Sequence, residues 1–476
     1  MPISAKMKSN YGDPAITSKY TPLEEIGIGE EERAYCSGIL TSRMNLLRRG
    51  GLINHLWLTV ESWDALAGDE ETQGRQPPLV VVSSNRANWI ARGIEAAADH
   101  LAENPAYADV GDLRALGTYR PQGRNPIPGP TSSPPFYAPA RVGAGRGIYI
   151  VVHEFEYSHY RESLRGTGIT VVGWRFRPPP SVAPEDKVGK PSVELTGFGA
   201  SRFAALQFCK ALRGRAANRW NSAWLLDDNV VALAGFPGFG TVEGVLGDHT
   251  CIGFQAGTQA LPQSTIQTWA AGELNGGRGL RCTAIPNFPI WEAPTGLVQQ
   301  VVLWNIGKIS RESVNISPAF IASAEDVSIT NYLKLQDHQS IGQLTRISVK
   351  KESAETDDSN GAKQLLRTRD AFTQAIAQAE SRASGGPPYP VVPPPVWLRD
   401  GDSTTEMTVG AFIDAKQKGK SPAARFRAKC QVVEQVTARA LNLGLLDQDV
   451  ISAAFKIPVG DQPDQLSVDL YDEDTL

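Results

Sequence analysis

The sequence predicts an α/β fold with a mostly parallel central sheet flanked by helices. Residues 148–152 (IYIVV) form an almost continuous apolar, β-branched run, and residues 169–174 (ITVVGW) form a second one. A short helix is predicted over residues 157–164 between them, and this order requires a crossover that makes the two strands parallel. An alanine-rich helix over residues 202–212 and a third strand over residues 222–226 continue the same layer.

Composition limits the class of protein. A chain of 476 residues has the length of two or three domains. With 41% hydrophobic and 21% charged residues, it is neither a disordered chain nor a polytopic membrane protein. No apolar stretch approaches the ~20 residues that cross a bilayer, and residues 1–13 lack the apolar core of a secretion signal. We therefore expect a cytoplasmic protein with no membrane partner.

Charge and cysteine usage exclude further classes. The 47 Lys and Arg residues are outnumbered by 51 Asp and Glu residues, so the net charge of -4 provides no global positive field for nucleic acid. The five cysteines are widely spaced without a C-x-x-C pair, which indicates reduced thiols and neither a disulfide framework nor a structural zinc site.

Clusters of proline and glycine predict the domain boundaries. They occupy residues 119–147, 177–190 and 384–395. Beyond the last cluster, apolar residues of the segment 426–443 recur at helical spacing, whereas the segment 458–476 carries six acids and no base. The predicted units are an N-terminal α/β extension (1–145), a core (146–350), a helical extension (351–383), a Pro-rich linker (384–396), a helical appendage (397–457) and an acidic, solvated tail (458–476).

Two adjacent carboxylates, Asp227 and Asp228, end the third predicted strand and are followed by Asn229. Open α/β sheets bind ligands in the crevice outside the carboxyl ends of their strands. A hard divalent cation that carries a diphosphate would offset the repulsion between two such carboxylates. The alternative is a simple turn, since Asp and Asn favour turns on their own account.

A second acidic pair, Glu325 and Asp326, stands at a predicted helix start much further along the chain. A predicted strand over residues 299–306 could return this pair to the same crevice as Asp228. Acids at a helix N-terminus also gain from the helix dipole, so capping is the competing interpretation.

The order of these features resembles that of glycosyltransferases with the GT-A fold. Four segments carry a narrower resemblance, to the glycosyltransferase group associated with TET/JBP base hydroxylases, and the resemblance covers about residues 146–350. The segments are GFGASRFAALQF (197–208), WLLDDNVVAL (224–233), LWNIGKIS (303–310) and NISPAFIASAEDVSITNYL (315–333).

The resemblance implies roles for the two acidic motifs. Asp227 would contact the nucleotide ribose, and Asp228 would bind a divalent metal, Mn²⁺ or Mg²⁺, with Asn229 in the place where an Asp-x-Asp motif has its second acid. Asp326 would be the catalytic base, with Glu325 as the less favoured choice. His338 would be a further metal ligand or a surface histidine.

The resemblance also implies a nucleotide site. His153 and Glu154 end the first strand of the core, where the family binds the nucleobase and ribose, unless they are ordinary loop residues. Arg202 follows Gly197 and Gly199 at a helix start, so that glycine-rich backbone and a guanidinium would approach the diphosphate together. A turn with a solvated arginine is the alternative.

The function that follows is a metal-dependent, inverting glycosyltransferase that moves a hexose from a nucleotide-sugar, a UDP-sugar by preference, to an acceptor hydroxyl. The resemblance implies a hydroxymethylated base in DNA as the acceptor, with a protein or a small molecule as open alternatives. A second hypothesis is a catalytically inactive GT-A-like binding or assembly module. A third is a nucleotidyltransferase with the same metal and diphosphate chemistry.

Overall fold

The structure is a computed structural model of the chain. It describes residues 30–66, 78–103, 134–135, 137–142, 147–177, 193–215, 222–235, 268–271, 291–292, 301–336, 341–344, 347–351, 354–384, 396–400, 403–407, 421–442, 444–461 and 465–475.

Ten of the described strands form one mixed sheet. In chain order the strands of the described residues are β1 (His55–Val60), β2 (Leu79–Val82), β3 (Ile148–His153), β4 (Thr170–Phe176), β5 (Ser222–Asp227), β6 (Val230–Gly235), β7 (Thr268–Ala271), β8 (Trp291–Glu292), β9 (Val301–Asn305), β10 (Ile341–Leu344), β11 (Ile347–Lys351), β12 (Val396–Asp400), β13 (Ser403–Met407) and β14 (Ser467–Asp472). The order in the main sheet is β14-β1-β4-β3-β2-β5-β9-β7-β10-β8, and β6 with β11 and β12 with β13 form separate pairs.

The helices that the structure describes flank this sheet. They are α1 (Glu30–Arg49), α2 (Ala87–Glu103), α3 (Pro139–Val142), α4 (Glu154–Ser163), α5 (Phe198–Arg215), α6 (Ile306–Arg311), α7 (Glu325–Gln336), α8 (Asn360–Ser384), α9 (Pro422–Asn442) and α10 (Gln448–Phe455). Within the described ranges, none of these helices combines the length and the apolar character needed to span a bilayer.

The predicted α/β class is confirmed, and the sheet is mostly but not wholly parallel. The neighbouring strands β4, β3, β2 and β5 pair in parallel, as do β1 with β14 and β7 with β10. Antiparallel pairing joins β1 to β4, β9 to both β5 and β7, and β8 to β10. The prediction missed these antiparallel pairs because strand direction depends on how the chain returns to the sheet, which local apolar runs do not encode.

The central strands consist of apolar residues because both of their faces are covered. All residues of β3 are buried, and its side chains alternate between two cores. Val151 packs in a core with residues of α5 and α7, whereas Ile150 packs in a second core with residues of α2 and α4. The helices therefore cover both sides of the sheet.

The sheet changes direction between β2 and β5. From β2 the chain adds β3 and then β4 on one side, and it returns through α5 to add β5 on the other side of β2. Such a switch point leaves a crevice at the carboxyl ends of the strands, because the two connecting helices leave in opposite directions. This edge of the sheet contains residues 83–86 and 227–229.

The predicted domain boundaries do not match the architecture. β2 lies in the segment 1–145, yet it pairs with β3 and β5 of the predicted core. β14 lies in the predicted solvated tail and pairs with β1, while α9 and α10 pack against α1. The clusters at residues 119–147 and 177–190 therefore stand between strands that belong to one sheet. The linker between residues 385 and 395 lies outside the described residues.

A buried ionic network anchors the loop that precedes α7. Glu434 of α9 accepts hydrogen bonds from Arg43 Nη1 at 2.6 Å and from the backbone N–H groups of Ile321, Ala322 and Ser323 at 3.0, 2.9 and 2.6 Å. Arg43 Nη1 also donates to the carbonyl of Ala319 at 2.9 Å. We call residues 319–323 the anchored loop. Burial raises the pKa of Glu434. The charge of Arg43 opposes this rise, because it favours the ionised carboxylate.

The same loop packs closely against the start of α5. Phe198 N–H donates to the carbonyl of Ile321 and Gly199 N–H donates to the carbonyl of Phe320, both at 2.9 Å. A Cβ on Gly199 would lie 2.3 Å from the Phe320 carbonyl oxygen. Gly197 has φ +127°, and a Cβ there would lie 2.5 Å from the Ile321 carbonyl oxygen. The two glycines therefore serve the contact between helix and loop.

Replacing Glu434 by Gln should lower the free energy of unfolding by about 1–3 kcal/mol, because the amide cannot accept hydrogen bonds from Arg43 and from all three loop N–H groups as the carboxylate does, while Glu380 still neutralises Arg43. Denaturant unfolding followed by circular dichroism measures this loss. The matched control is Asp447→Asn, which breaks the exposed Arg33–Asp447 pair and should cost less than about 1 kcal/mol. Equal effects of the two changes would contradict the anchoring role of Glu434.

Replacing Gly199 by Ala should lower the free energy of unfolding by about 1–3 kcal/mol, since the added methyl group would overlap the loop backbone. The control is Gly38→Ala in α1, where a Cβ meets nothing within 4 Å. That change should instead raise the free energy of unfolding by about 0.5–1 kcal/mol through helix propensity. The prediction fails if both alanine variants are more stable than the wild type in urea denaturation.

Candidate functional site

The candidate site lies at the carboxyl end of β5, beside the switch point of the sheet. Two helix N-termini reach the same edge: α5 brings Arg202 in its second turn, and α7 brings Glu325 and Asp326 in its first turn. Ala324 has φ 61° and turns the chain abruptly from the anchored loop into α7. The fold therefore brings together acidic residues that are far apart in the sequence.

Arg202 joins the two acidic motifs. Its Nη2 atom donates to Asp227 Oδ1 at 2.5 Å, and its Nε atom donates to Glu325 Oε1 at 3.0 Å. The side chains of Arg202, Asp227 and Glu325 are only 14%, 15% and 9% exposed. Asp326, the neighbour of Glu325, is half-buried and thus the more accessible acid of the second motif. This group of four residues is called the Arg202 cluster below.

Burial and mutual repulsion shape the protonation of the Arg202 cluster. Burial, followed by the charge of Asp326, raises the pKa of Glu325 to about 7, although Arg202 opposes this shift. Burial also raises the pKa of Asp326, again against Arg202. Burial alone would lower the pKa of Arg202, but Asp227 and Glu325 outweigh it and raise that pKa, so the guanidinium stays charged. The cluster thus holds a permanent cation beside an acid that titrates near neutral pH.

Asp228 has different partners from Asp227. Its Oδ2 atom accepts from Ser83 Oγ at 2.8 Å, its Oδ1 atom forms a short ion pair with Arg86 Nη1, and its carbonyl accepts from Tyr137 Oη at 2.9 Å. Burial raises the pKa of Asp228, while Arg86 opposes this. We predicted that Asp228 and Asp326 line one pocket; it is Asp227 whose carboxylate shares Arg202 with the second acidic motif, whereas the carboxylate of Asp228 pairs with Arg86. The reason is that β5 ends at Asp227, and the chain turns at Asp228.

The carboxylates of the predicted metal site contact protein groups in this structure, and the metal-binding interpretation stays a prediction. Both carboxylate oxygens of Asp228 already have protein partners, and the cation next to Asp227 is Arg202. Across the ranges that the structure describes, no three His, Cys, Asp or Glu side chains come close enough together to hold a metal ion. Asn229 is half-buried in the turn between β5 and β6, and His338 lies outside the described residues.

His153 is a buried helix cap rather than a nucleotide contact. Its Nδ1 atom accepts from Phe155 N–H at 3.2 Å at the start of α4, its Nε2 atom lies 3.2 Å from Glu194 Oε1, and its ring packs edge-on against Trp174. The side chain is 1% exposed, and burial lowers its pKa. The predicted contact with a nucleobase does not fit this position, since the imidazole is enclosed by protein.

Glu154 and the glycine-rich segment also serve the fold. Burial raises the pKa of Glu154, a hydrogen bond with Thr59 opposes this, and a Cβ on Gly173 would lie 2.5 Å from Glu154 Oε2. The first N–H groups of α5 donate to the anchored loop, so they do not point into the crevice as a phosphate-binding loop would. Of the predicted nucleotide contacts, Asp227 and Arg202 lie in the cluster with Glu325 and Asp326.

Sequence reasoning missed the residues that surround Asp228. Ser83 and Arg86 follow β2, and Tyr160 of α4 shares a hydrogen bond of 2.8 Å with Ser83. The missed signal was that the Ser-Ser-Asn-Arg segment follows an apolar strand, which puts polar groups at the carboxyl edge of a sheet. Tyr137 could not be found in this way, because it stands inside a proline-rich segment.

Comparisons of this chain with protein-family models, with curated proteins and with solved structures found no match.

The raised pKa of Glu325 predicts a pH-dependent stability. The folded protein keeps this proton up to about pH 7, whereas the unfolded chain releases it near 4.5. The free energy of unfolding should therefore fall as the pH rises between these values, by up to about 1.4 kcal/mol per pH unit. Urea unfolding at pH 5 and pH 7.5 should show a smaller fall for Glu325→Gln than for the wild type.

The control for this experiment is Glu95→Gln, which changes an exposed residue of α2. It should leave the pH dependence of stability as it is in the wild type. An unchanged slope in Glu325→Gln would show that Glu325 does not release its proton in this pH window.

Proposed function

We propose that the protein is a glycosyltransferase related to the GT-A class, which transfers a hexose from a nucleotide-sugar to an acceptor hydroxyl. The observation that carries this proposal is the Arg202 cluster. Asp227 at the carboxyl end of β5 and Glu325 at the start of α7 both pair with one guanidinium beside the switch point. This is the part of an α/β sheet where ligands bind. The acidic start of α7 supports the proposal, because the resemblance assigns the catalytic motif to this segment.

The proposed catalytic base is Asp326. An inverting transfer needs one carboxylate to accept the proton of the acceptor hydroxyl while that oxygen attacks the anomeric carbon. Asp326 is half-buried, whereas Glu325 is buried and already accepts from Arg202. Burial raises the pKa of Asp326, which makes its carboxylate a stronger base for this proton.

Arg202 is the proposed contact for the diphosphate. A guanidinium offers several N–H donors in a planar fork that matches phosphate oxygens. Asp227 and Glu325 hold this group in place from two sides, so it needs little reorganisation when a ligand enters. Because Ser83 and Arg86 occupy both carboxylate oxygens of Asp228, we assign no step of the reaction to a metal.

The nucleotide, the sugar and the acceptor are proposals that extend the resemblance. UDP-sugars are the preferred donors, and a hydroxymethylated base in DNA is the preferred acceptor, followed by a hydroxyl of a protein or a small molecule. The net charge of -4 means that a DNA acceptor would have to be recognised by a local basic surface rather than by the global field.

A second candidate function is a catalytically inactive binding or assembly module. The contacts of Asp228 favour this module. The resemblance assigns Asp228 to the metal, but Ser83 and Arg86 occupy both of its carboxylate oxygens. Such a protein would keep the sheet and the ion pairs for stability and would use its surface for partners. Turnover of a nucleotide-sugar separates the two functions.

Changing Asp326 to Asn should reduce hexose transfer, or hydrolysis of the nucleotide-sugar, at least about 100-fold, because general-base catalysis contributes 10²–10⁴-fold. The affinity for UDP should stay within about twofold of the wild type, since only the base is removed. Release of UDP from a panel of UDP-sugars measures turnover, and calorimetry with UDP, with and without Mn²⁺, measures affinity.

Two controls accompany this experiment. Asp461→Asn changes an exposed acid away from the site and should leave turnover and affinity unchanged. Arg202→Gln should weaken UDP binding at least about tenfold, since it removes a charged hydrogen-bond donor. No release of UDP from any donor sugar would contradict the transferase and support the binding module, and loss of UDP affinity in Asp326→Asn alone would contradict the assigned roles.

A further inference from the structure

A cavity of about 250 Å³ lies between the start of α5, the anchored loop, α8 and α9. None of the residues of the Arg202 cluster lines this cavity. Two of its lining residues are near that cluster in the sequence: Phe198 stands one helical turn before Arg202, and Ile321 precedes Glu325 by four positions. Its volume is near the lower end of the range for small-molecule sites. The residues that line it include Phe198, Ile321, Arg369, Thr373, Arg427 and Gln431.

The cavity is positively charged. Arg369 of α8 and Arg427 of α9 both line it, and the carboxylate of Asp370 lies 3.1 Å from Arg427 Nε. Burial lowers the pKa of Arg369, and Arg427 lowers it further, so the two guanidinium groups are close enough to repel each other. Among the side chains that line the cavity and their direct ion-pair partners, two guanidinium groups stand against one carboxylate, so that a bound anion could accept from both arginines.

A buried hydroxyl group also lines the cavity. Thr373 stands one turn after Arg369 on α8 and is 1% exposed, yet its Oγ1 atom has no hydrogen-bond partner among the described residues. A buried polar group without a partner costs about 1–3 kcal/mol, so such groups are rare unless a ligand or water completes them. The hydroxyl and the two guanidinium groups belong to one cavity and could all donate to the same ligand.

The mouth of the cavity carries an aromatic ring. Phe198 is 49% exposed, which is unusual for a phenylalanine, and the guanidinium carbon of Arg369 lies 5.9 Å from the centre of its ring. Ile321 and Ala322 add an apolar wall. The cavity therefore combines donors for an anion with apolar surface for an organic group.

We propose that this cavity binds a small organic phosphate, with Arg369, Arg427 and Thr373 as donors to the phosphate and Phe198 as the contact for the organic part. Phosphate is favoured over carboxylate because its dianion matches two guanidinium groups, and its three free oxygens accept from donors on separate helices. The site stands on its own residues, so it holds whether or not the protein transfers sugar.

The test is calorimetry of the full-length protein with phenyl phosphate, inorganic phosphate and benzoate. We expect saturable binding of phenyl phosphate that is weakened at least about tenfold in Arg369→Gln and in Arg427→Gln. Thr373→Val, which keeps the shape of the side chain, should weaken both phosphate ligands. Phe198→Leu should weaken phenyl phosphate more than inorganic phosphate.

The matched control is Arg367→Gln, which removes an exposed arginine from the same helix and should leave binding unchanged. Circular dichroism of each variant verifies the fold. Arg427→Gln also removes the ion pair with Asp370, so Arg369→Gln is the more direct test. The proposal is overturned if phenyl phosphate shows no saturable binding, if benzoate binds as tightly as phenyl phosphate, or if Arg369→Gln binds like the wild type.

The same titrations separate this site from the proposed active site. Asp326→Asn should leave phenyl phosphate binding unchanged, and Arg369→Gln should leave the release of UDP from a nucleotide-sugar unchanged. Loss of phenyl phosphate binding in Arg202→Gln but not in Arg369→Gln would place the anion in the Arg202 cluster and overturn the second site. Absence of sugar turnover with intact phenyl phosphate binding would contradict only the transferase.

Discussion

The carboxylate of Glu434 holds in place the loop against which the helix of the candidate site packs. A buried charge is stable only when protein groups replace the water it has lost. Glu434 meets this condition with Arg43 and with three consecutive N–H groups of the anchored loop. The loop carbonyls then receive the first N–H groups of α5, so that one buried carboxylate links α9 and α1 to the helix that carries Arg202. Both the Arg202 cluster and the phosphate cavity border this loop.

Arg202 links elements of the candidate site, as Glu434 links α9 to the anchored loop. It pairs with Asp227 and Glu325, and its charge opposes the rise that burial causes in the pKa of Glu325. An anionic substrate that contacts Arg202 would lie next to these carboxylates. Binding would therefore alter the protonation of Glu325 and the charge near Asp326, which connects ligand binding to the proposed base through electrostatics alone.

Local signals predicted much of the secondary structure around the site. The apolar run at residues 148–152 corresponds to β3 (Ile148–His153), and the run at residues 222–226 corresponds to β5 (Ser222–Asp227). The acidic pair was expected at a helix start, and α7 begins at Glu325. These predictions succeeded because strand and helix starts depend on neighbouring residues. The boundary at residue 145 failed because β2 finds its partners by pairing across long connections.

The sequence by itself determined the α/β class, the central strands and the presence of two acidic motifs at element ends. Only the tertiary structure decided that Asp227, and not Asp228, meets Arg202 and Glu325, that His153 is enclosed as a helix cap, and that the glycines before Arg202 pack against a loop. The physical reason is that periodicity and turn chemistry act over a few residues. The partner of a buried charge depends on which distant segments of the chain pack together. Neighbouring positions at the end of a strand point in different directions, so Asp227 and Asp228 meet different residues.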